Sequence, residues 1–282
     1  MGYRIASAYF TPSRKHESWM WEMFRDGLAR SVDWHCGQGV ELRLVELPEP
    51  EQPGNYPAQN WKLREWVRQA EEALVDGVNL VLVDVDTLFL RDVEEVFDLG
   101  FDVAVTRRDR PHWLNAGVVY LQPTVESVAI MRMWESVDSQ MLADTEYDRH
   151  VRRTVPHHMG QNQPAFAYLY EQGRLPGAVE VLECAVWNVC EDIYWRNMRE
   201  DAAVLHVKSQ LRQALAGNRE VLHQAVHPDE APERVRAPHP LLIGRVRRYR
   251  RGWRARKPEW SDWDAVHAAY SLYYPTKEVI SA

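Results

Sequence analysis

Several features that often identify a class of protein are scarce or missing in this sequence. Only three of the 282 residues are cysteine, and they are spread along the chain, which argues against a disulfide scaffold and against a cysteine-rich zinc site. No apolar stretch approaches the roughly 18 residues that cross a bilayer. The first residues show no positively charged segment followed by an apolar core, as a secretory signal would. We therefore expect reduced thiols and a cytoplasmic location.

Acidic and basic residues are unevenly distributed along the chain. The formal net charge is −7 at pH 7, yet residues 245–257 (RVRRYRRGWRARK) contain eight basic residues and no acidic one. Four prolines between residues 217 and 240 separate this basic segment from the rest of the chain. We predict one domain over residues 1–217 and an extension over residues 218–282, made of a proline-rich linker and the basic, aromatic segment.

Apolar runs alternate with helical patterns over roughly the first 210 residues. The candidate strands are residues 3–9, 40–47, 80–83, 101–107, 116–122, 179–183 and 202–207. The candidate helices are residues 17–30, 58–75, 124–142 and 162–173. Strands that alternate with helices are typical of an α/β protein with a mostly parallel sheet. The sequence therefore predicts an α/β fold with helices flanking such a sheet.

Two aspartates follow one of the most apolar runs. Asp84 and Asp86 come directly after residues 80–83, so we expect them at the carboxyl end of a buried strand. Open α/β sheets bind their ligands at that edge. Two carboxylates there can hold a metal ion or take part in covalent chemistry, and the Asp-x-Asp pattern alone does not distinguish the two.

One interpretation of this pattern is a phosphatase. The segment VDVDTLFL resembles the first motif of the haloacid-dehalogenase-type phosphatases, in which Asp84 would be the nucleophile and Asp86 the general acid. Three observations count against it. Thr87 follows Asp86 directly, whereas that motif places its threonine two residues after the second aspartate. About 80 residues precede the motif, and no later strand candidate ends in a paired acidic motif.

A series of segments in order resembles another family more closely. Lys62 lies on the helix before the Asp-x-Asp pattern, WLNAGVVYLQPT covers residues 113–124, NQPAF covers residues 162–166, and Trp187-Asn188 and VLHVK (residues 204–208) follow. This series is similar to the GT-A-type glycosyltransferases that use nucleotide-diphospho-sugars. The resemblance implies a GT-A, Rossmann-like fold and an enzyme that transfers a hexosyl or pentosyl group.

The resemblance also implies a divalent metal ion that holds the diphosphate of the donor. Asp86 would be the first ligand, Asp84 would reach the ribose or the metal, and His206 would complete the set. Oxygen ligands with one imidazole suit Mn²⁺ or Mg²⁺. The expected donor is a UDP-sugar. Its further expected contacts are Tyr9 and Thr11 at the base, Lys62 and Lys208 at hydroxyl and diphosphate groups, and Asn115, Ala116 and Gly117 beside the sugar.

One segment departs from the family pattern. The family often has Asp-Gln where this chain has Asn162-Gln163, and an uncharged amide cannot act as a base or a nucleophile. We count Asn162, Gln163 and Asp86 as candidate catalytic residues and expect the two amides to bind hydroxyls and to stabilise positive charge. That favours a retaining reaction. An inverting reaction would need a carboxylate base, for which the candidates are Asp109, Glu183, Glu191 and Asp192.

The acceptor stays open between two classes. Arginines with interleaved aromatics suit phosphate backbones and unstacked bases, which favours a hydroxymethylated base in DNA, as in phage-type DNA modification. The DNA contacts would be Arg245, Arg247, Arg248, Arg250, Arg251 and Arg254. A glycan or glycolipid is the other candidate, since a basic amphipathic segment can also lie on an anionic membrane. A third hypothesis is a degenerate, non-catalytic nucleotide-sugar-binding module, and the intact set Asp84, Asp86 and His206 argues against it.

Overall fold

The computed structural model describes residues 2–10, 15–48, 55–108, 114–158, 160–190 and 198–208. The strands in these ranges are β1 (Tyr3–Phe10), β2 (Glu41–Leu47), β3 (Asn79–Val83), β4 (Thr87–Phe89), β5 (Val103–Arg107), β6 (Leu114–Leu121), β7 (Val179–Glu183) and β8 (Val204–His206). The helices are α1 (Lys15–His35), α2 (Asn55–Asp76), α3 (Val125–Ala143), α4 (Thr145–Thr154), α5 (Asn162–Glu171) and α6 (Cys184–Trp187), with a 3-10 helix at Glu94–Leu99. None of the described helices is long and apolar enough to span a membrane.

Six strands form one mixed sheet in the order β2-β1-β3-β6-β5-β7. β1 is parallel to β2 and β3, and β5 is parallel to β7, whereas β6 runs antiparallel to both β3 and β5. The predicted α/β fold with a mostly parallel sheet is therefore confirmed, with β6 as the reversed strand. Its direction could not be predicted, because a strand buried on both faces gives the same apolar run in either direction.

Helices cover both faces of this sheet. On one face α2, α3 and α5 pack together, with Leu63, Trp66 and Trp134 fully buried. On the other face α1 and the 3-10 helix contribute Leu28 and Phe97 to a second core cluster. Burial on both faces explains why the central strands read as continuous apolar runs rather than as alternating patterns.

The predicted elements are confirmed with boundary shifts of a few residues. The helix expected over residues 58–75 is longer at both ends, since α2 spans Asn55–Asp76, and β7 has its predicted bounds. Four described elements were not predicted: β4, α4, α6 and the 3-10 helix at Glu94–Leu99. β4 and α6 are three and four residues long, which is too short for a periodic pattern to show. α4 begins after Asp144, whose side chain accepts hydrogen bonds from the backbone N–H groups of Glu146 and Tyr147.

A two-stranded sheet lies beside the carboxyl end of β3. β4 pairs antiparallel with β8, so that Thr87 is opposite His206. The backbone N–H of Val207 donates to the carbonyl of Asp86 at 2.8 Å. This pairing brings the Asp-x-Asp segment against a histidine that is remote in sequence. The extension over residues 218–282, with its basic segment, lies outside the described residues, so the boundary at residue 217 stays a prediction.

Candidate functional site

The carboxylates of Asp84 and Asp86 lie where the sequence predicted them, just past the end of β3. The backbone N–H of Asp84 donates to the carbonyl of Gly117 at 2.8 Å, which fastens it to β6. The carbonyl of Asp84 accepts the backbone N–H of Thr87 at 3.2 Å and the Thr87 hydroxyl at 2.7 Å. This tight turn between β3 and β4 holds both carboxylates in place, with Asp86 buried and the Asp84 side chain 21% exposed.

His206 places its imidazole against both carboxylates. Its Nε2 lies 3.4 Å from Oδ2 of Asp84 and 3.3 Å from Oδ1 of Asp86. One ligand atom from each of the three residues falls within a cluster no more than 4.8 Å across. The structure therefore brings together the three side chains that were predicted to bind a metal ion.

The hydrogen bonds of Asn188 assign the protonation of His206. The Thr106 hydroxyl donates to the carbonyl of Asn115 at 2.9 Å, so it must accept the 2.8 Å hydrogen bond from the Asn188 amide nitrogen. That leaves Oδ1 of Asn188 facing Nδ1 of His206 at 3.1 Å. Because this oxygen can only accept, Nδ1 carries the proton and Nε2 directs its lone pair at the two carboxylates.

Asn115 and Gly117 on β6 support the same arrangement. Oδ1 of Asn115 accepts the backbone N–H of Gly117 at 2.7 Å and the Asn188 amide at 3.0 Å. A Cβ added to Gly117 would overlap the imidazole of His206 and lie 2.9 Å from Oδ1 of Asn115. Glycine is therefore required at this position by the approach of His206.

Burial and charge set the protonation states of this cluster. Burial, together with the charge of Lys208, lowers the pKa of His206 to about 3, so the imidazole is neutral at neutral pH. Burial alone would raise the pKa of Asp84, but the Lys62 ammonium holds it at about 2. A neutral nitrogen lone pair and an ionised carboxylate thus converge on one point.

This donor set fits a divalent cation. Nε2 of His206 is fully buried and makes no hydrogen bond to any residue in the described ranges, although a buried polar atom normally has a partner. Carboxylates and imidazoles are common metal ligands in proteins. A hydrogen bond to the other nitrogen of the imidazole, here made by the Asn188 amide, is the usual supporting contact of such a ligand. Asp84, Asp86 and His206 are therefore the residues that could hold Mn²⁺ or Mg²⁺.

Two lysines flank the cluster. Nζ of Lys62 donates to Oδ1 of Asp84 at 2.5 Å and lies 4.3 Å from the centre of the Trp66 ring. Lys208 follows β8, and burial lowers its pKa while the charge of Asp84 opposes the change. Both lysines, predicted as donor contacts, are thus beside the acidic cluster, where a diphosphate bound to a metal ion would also lie.

The amides of Asn162 and Gln163 stand at the start of α5. The carbonyl of Asn162 accepts a hydrogen bond from the Trp134 indole at 2.7 Å. The preceding residue, Gln161, is buried, and its backbone N–H donates to Oε1 of Gln59 on α2 at 2.8 Å. Gln161 and Gln59 were not predicted. These contacts fix the backbone at the start of α5, and the contact of the amide pair with the donor sugar stays a prediction.

The other predicted donor contacts are placed as follows. Tyr9 is buried in β1, and Ala116 packs into the core cluster shared by α2, α3 and α5. Their roles at the base and beside the sugar stay predictions. Glu183, a candidate base, is exposed and pairs with Arg199 at 3.0 Å. Thr11, the candidate bases Asp109, Glu191 and Asp192, and the arginines of the basic segment lie outside the described residues.

Sequence reasoning missed several residues that support the site. Asn188 was noted only as part of a motif, and Thr106 was not noted at all. Two of the three cysteines meet, since Sγ of Cys184 lies 3.9 Å from Sγ of Cys190. The Asn115 amide donates to Cys190 at 3.3 Å. Their spacing of six residues gave no signal, because the contact depends on how α6 joins the two cysteines.

The comparisons with known proteins agree with this geometry. A family model described as nucleotide-diphospho-sugar transferase matches residues 63–213, which is more than half of the chain, so the chain belongs to this family. The match contains Asp84, Asp86 and His206, together with Asn162 and Gln163. No curated protein matches the chain significantly.

One solved glycosyltransferase shares the fold. A crystal structure of a glycosyltransferase involved in the glycosylation of the major capsid of PBCV-1 is 16% identical, with a TM-score of 0.51 over 78% of this chain and 100% of that chain. The apo form of mouse xyloside xylosyltransferase 1 is 11% identical, with a TM-score of 0.47 over 73% of this chain and 97% of that chain. The first match confirms the GT-A-type fold and, at this identity, carries nothing beyond it.

Proposed function

We propose that this chain is a metal-dependent glycosyltransferase that moves a sugar from a nucleotide-diphospho-sugar, with UDP as the expected nucleotide, to a hydroxyl acceptor. The observation that carries the proposal is the convergence of a neutral, buried imidazole nitrogen and two carboxylates on one point. Two lysines border that point. Carboxylates and a neutral imidazole nitrogen in this arrangement can bind a divalent metal ion. The neighbouring lysines can bind the phosphate oxygens of a diphosphate held by that ion.

Different residues of the chain would have different roles in stabilising the leaving group. Asp84, Asp86 and His206 would hold the ion, and the bound cation would supply a Lewis acid that offsets the negative charge of the departing diphosphate. The Lys62 and Lys208 ammonium groups would contact donor hydroxyl or phosphate oxygens. The exposed part of the Asp84 carboxylate would face the donor, which explains why it alone of the three is only half-buried.

The amide pair would act on the sugar itself. Asn162 and Gln163 carry no charge, so they can orient hydroxyls and direct amide oxygens at a positively charged sugar ring, but they cannot remove a proton. In a retaining reaction on one face of the ring, the leaving phosphate can accept the proton of the incoming hydroxyl. Retention therefore needs no carboxylate base from the chain, and we propose it on that ground.

The phosphatase interpretation is not maintained, because the chain belongs to the nucleotide-diphospho-sugar transferase family. Whether the chain is a non-catalytic binding module, and which acceptor it uses, are questions for experiment. A glycan or glycolipid and a hydroxymethylated base in DNA are the two acceptor classes under test, and a cytoplasmic location stays a prediction. Whether a hexose or a pentose is transferred follows from the donor that is cleaved.

The test is hydrolysis of UDP-, GDP- and TDP-sugars by the purified chain with Mn²⁺ or Mg²⁺. We expect one donor to be cleaved and chelation of the metal ion to stop the reaction. Asp86→Asn should lower the rate by about a hundredfold or more, because the metal ion that offsets the negative charge of the leaving diphosphate would lose a ligand. Asp98→Asn, which changes an exposed aspartate of the 3-10 helix, is the matched control and should retain the wild-type rate.

Three results would contradict the proposal. Full activity of Asp86→Asn would remove the metal assignment. Tight binding of a nucleotide-sugar without cleavage of any donor would make the chain a binding module. Turnover of a simple phosphate ester in place of the donors would restore Asp84 as a nucleophile.

A further inference from the structure

Three residues of α2 connect three parts of the site in order. Tyr56, Gln59 and Lys62 follow at intervals of three residues, so each is a neighbour of the next on the helix surface, in a row that winds about 120° around α2. Lys62 contacts Asp84 of the acidic cluster, and Gln59 contacts the residue before the amide pair. Tyr56 is the next position away from the acidic cluster, about 9 Å from Lys62 along the helix axis at the usual rise per residue.

The amide pair lies between these two ends. A Cβ built on Gly160 would lie 3.2 Å from Oε1 of Gln59 and 3.8 Å from Nε2 of Gln163. Both side chains therefore approach the same glycine. The order along this row of α2 is the diphosphate end at Lys62, the amide pair beside Gln59, and the exposed ring of Tyr56.

The ring of Tyr56 is held in place although it is 46% exposed. The guanidinium of Arg152 on α4 lies 5.5 Å from its centre. Arg152 is itself fixed by hydrogen bonds to both oxygens of Asp148 at 2.8 and 3.0 Å, to the carbonyl of Gly160 at 3.0 Å and to Oε1 of Gln161 at 3.2 Å. Arg152 thus contacts both the ring of Tyr56 and the residues just before the amide pair.

The charge around the ring favours a neutral ligand. The nitrogen donors of Arg152 are directed at Asp148 and at the loop oxygens, so this cation is committed within the protein and is poorly placed to bind a phosphate. An exposed tyrosine offers an apolar face and one polar tip, which suits a ring with an apolar C–H face and hydroxyl edges. A sugar ring has both.

We propose that Tyr56 is an acceptor subsite that stacks against a sugar ring of a carbohydrate acceptor. This inference rests on the proposed glycosyl transfer, and it names the class of acceptor that the described residues favour. The acceptor sugar would extend from the amide pair toward Tyr56, with its hydroxyl on the face of the donor sugar that carries the leaving phosphate, as the proposed retention requires.

The test combines binding and turnover in the wild type, Tyr56→Ala, Tyr56→Phe and Tyr170→Ala. Tyr170 is a matched control, because it is also an exposed tyrosine (39%) and lies near the far end of α5. Binding of the methyl glycosides of glucose, galactose, mannose and xylose is titrated by saturation-transfer NMR with UDP and Mg²⁺ present. Donor hydrolysis and transfer to the same glycosides are measured in parallel.

We expect at least one methyl glycoside to bind the wild type, Tyr56→Ala to weaken that binding about tenfold, and Tyr56→Phe and Tyr170→Ala to bind as the wild type does. In turnover, Tyr56→Ala should lose transfer about tenfold more than hydrolysis. Equal binding by Tyr56→Ala and the wild type, or no binding of any glycoside, overturns the subsite. Tyr56-dependent transfer to a 5-hydroxymethylcytosine oligonucleotide in place of the glycosides overturns the carbohydrate class.

The proposed function fails separately. If the wild type cleaves no donor, glycosyl transfer is wrong, and the NMR titration still decides whether Tyr56 binds a sugar, since it needs no turnover. If the wild type cleaves a donor and Tyr56→Ala binds glycosides normally, the transferase stands and the subsite does not.

Discussion

The side chain of Asn188 determines both the orientation and the protonation of the His206 ring. Its amide nitrogen is occupied by the Thr106 hydroxyl and by Asn115, so its oxygen is left for Nδ1 of His206. A metal ion can bind only a ring nitrogen without a proton. A metal ion at the proposed site would therefore bind Nε2, and this preference is set from the opposite side of the imidazole by Asn188, which is not itself a proposed metal ligand.

Replacing Asn188 by Ala should lower the affinity for Mn²⁺ by about 10- to 100-fold, the usual cost of losing the partner of a metal-bound histidine. Thr106→Val should have a smaller effect in the same direction, because it removes only the group that orients the amide. Titration of Mn²⁺ by electron paramagnetic resonance measures the affinity, and thermal unfolding without metal checks the fold. Unchanged affinity in Asn188→Ala would show that His206 is oriented by its burial alone.

Asp138 is a second buried group whose charge matters, away from the acidic cluster. It is fully buried on α3, where Oδ2 accepts a hydrogen bond from the Asn60 amide at 2.7 Å. Burial raises the pKa of Asp138 from 3.8 to about 7, with the Asn60 hydrogen bond acting in the opposite direction. Because the folded protein holds this proton more tightly than the unfolded chain, deprotonation opposes folding.

The free energy of unfolding should therefore fall as the pH rises from about 4 to about 7, by at most about 4 kcal/mol from this group. Asp138→Asn has no proton to lose, so its stability should change less across this range. Urea unfolding at several pH values measures the difference, with Asp98→Asn as the exposed control. Parallel pH profiles for the wild type and Asp138→Asn would mean that Asp138 is ionised in the folded protein throughout.

Among the elements, β6 and β8 approach each other where His206 lies against Gly117. Val105 of β5 pairs with Val119 of β6, but the next residue, Thr106, pairs with Asn115, so residues 116–118 form an irregularity in β6. Bulges of this kind are common next to active sites, where they redirect side chains. Here the irregular segment contains Gly117, which admits the imidazole carried by β8.

A double-mutant cycle tests this contact between strands. Gly117→Ala should destabilise the wild type by about 1–3 kcal/mol, as overpacking of a dense interior does. In a His206→Ala background the cost should shrink, because the imidazole is gone, although the contact with Asn115 would remain. Equal costs in the two backgrounds, measured by urea unfolding, would show that Gly117 is needed for another reason.

What the sequence could predict differs between elements for physical reasons. Asp84 and Asp86 were predicted at a ligand-binding edge because they follow an apolar strand, whereas His206 was predicted from the resemblance of the segment VLHVK to the glycosyltransferase family. The reversal of β6 and the contact of Cys184 with Cys190 depend on tertiary pairing that leaves no periodic trace. The contact between Tyr56 and Arg152 could not be predicted for the same reason, because α2 and α4 are far apart in the sequence.

At the scale of the whole molecule, two regions are candidates for binding the acceptor. The described domain presents Tyr56 beside the amide pair, with Arg152 committed to Asp148. The basic segment, residues 245–257, concentrates eight positive charges in a chain whose net charge is −7, and such a charge pattern attracts polyanions over a Debye length of about 8–10 Å at physiological salt. A carbohydrate acceptor needs only the first region, whereas a nucleic acid needs the second.

Replacing Arg247, Arg248, Arg250 and Arg251 together by Ala separates these roles. If the acceptor is DNA, transfer should fall steeply and lose its salt dependence, while donor hydrolysis continues, because each lost phosphate contact lowers the salt-dependent part of binding. A control with the same change in net charge replaces four arginines of the described domain, namely Arg64, Arg68, Arg132 and Arg153. If transfer to a methyl glycoside survives the loss of the basic segment but not Tyr56→Ala, the acceptor is recognised as a sugar by the catalytic domain. If hydrolysis and transfer fall together, the basic segment stabilises the fold and does not select the acceptor.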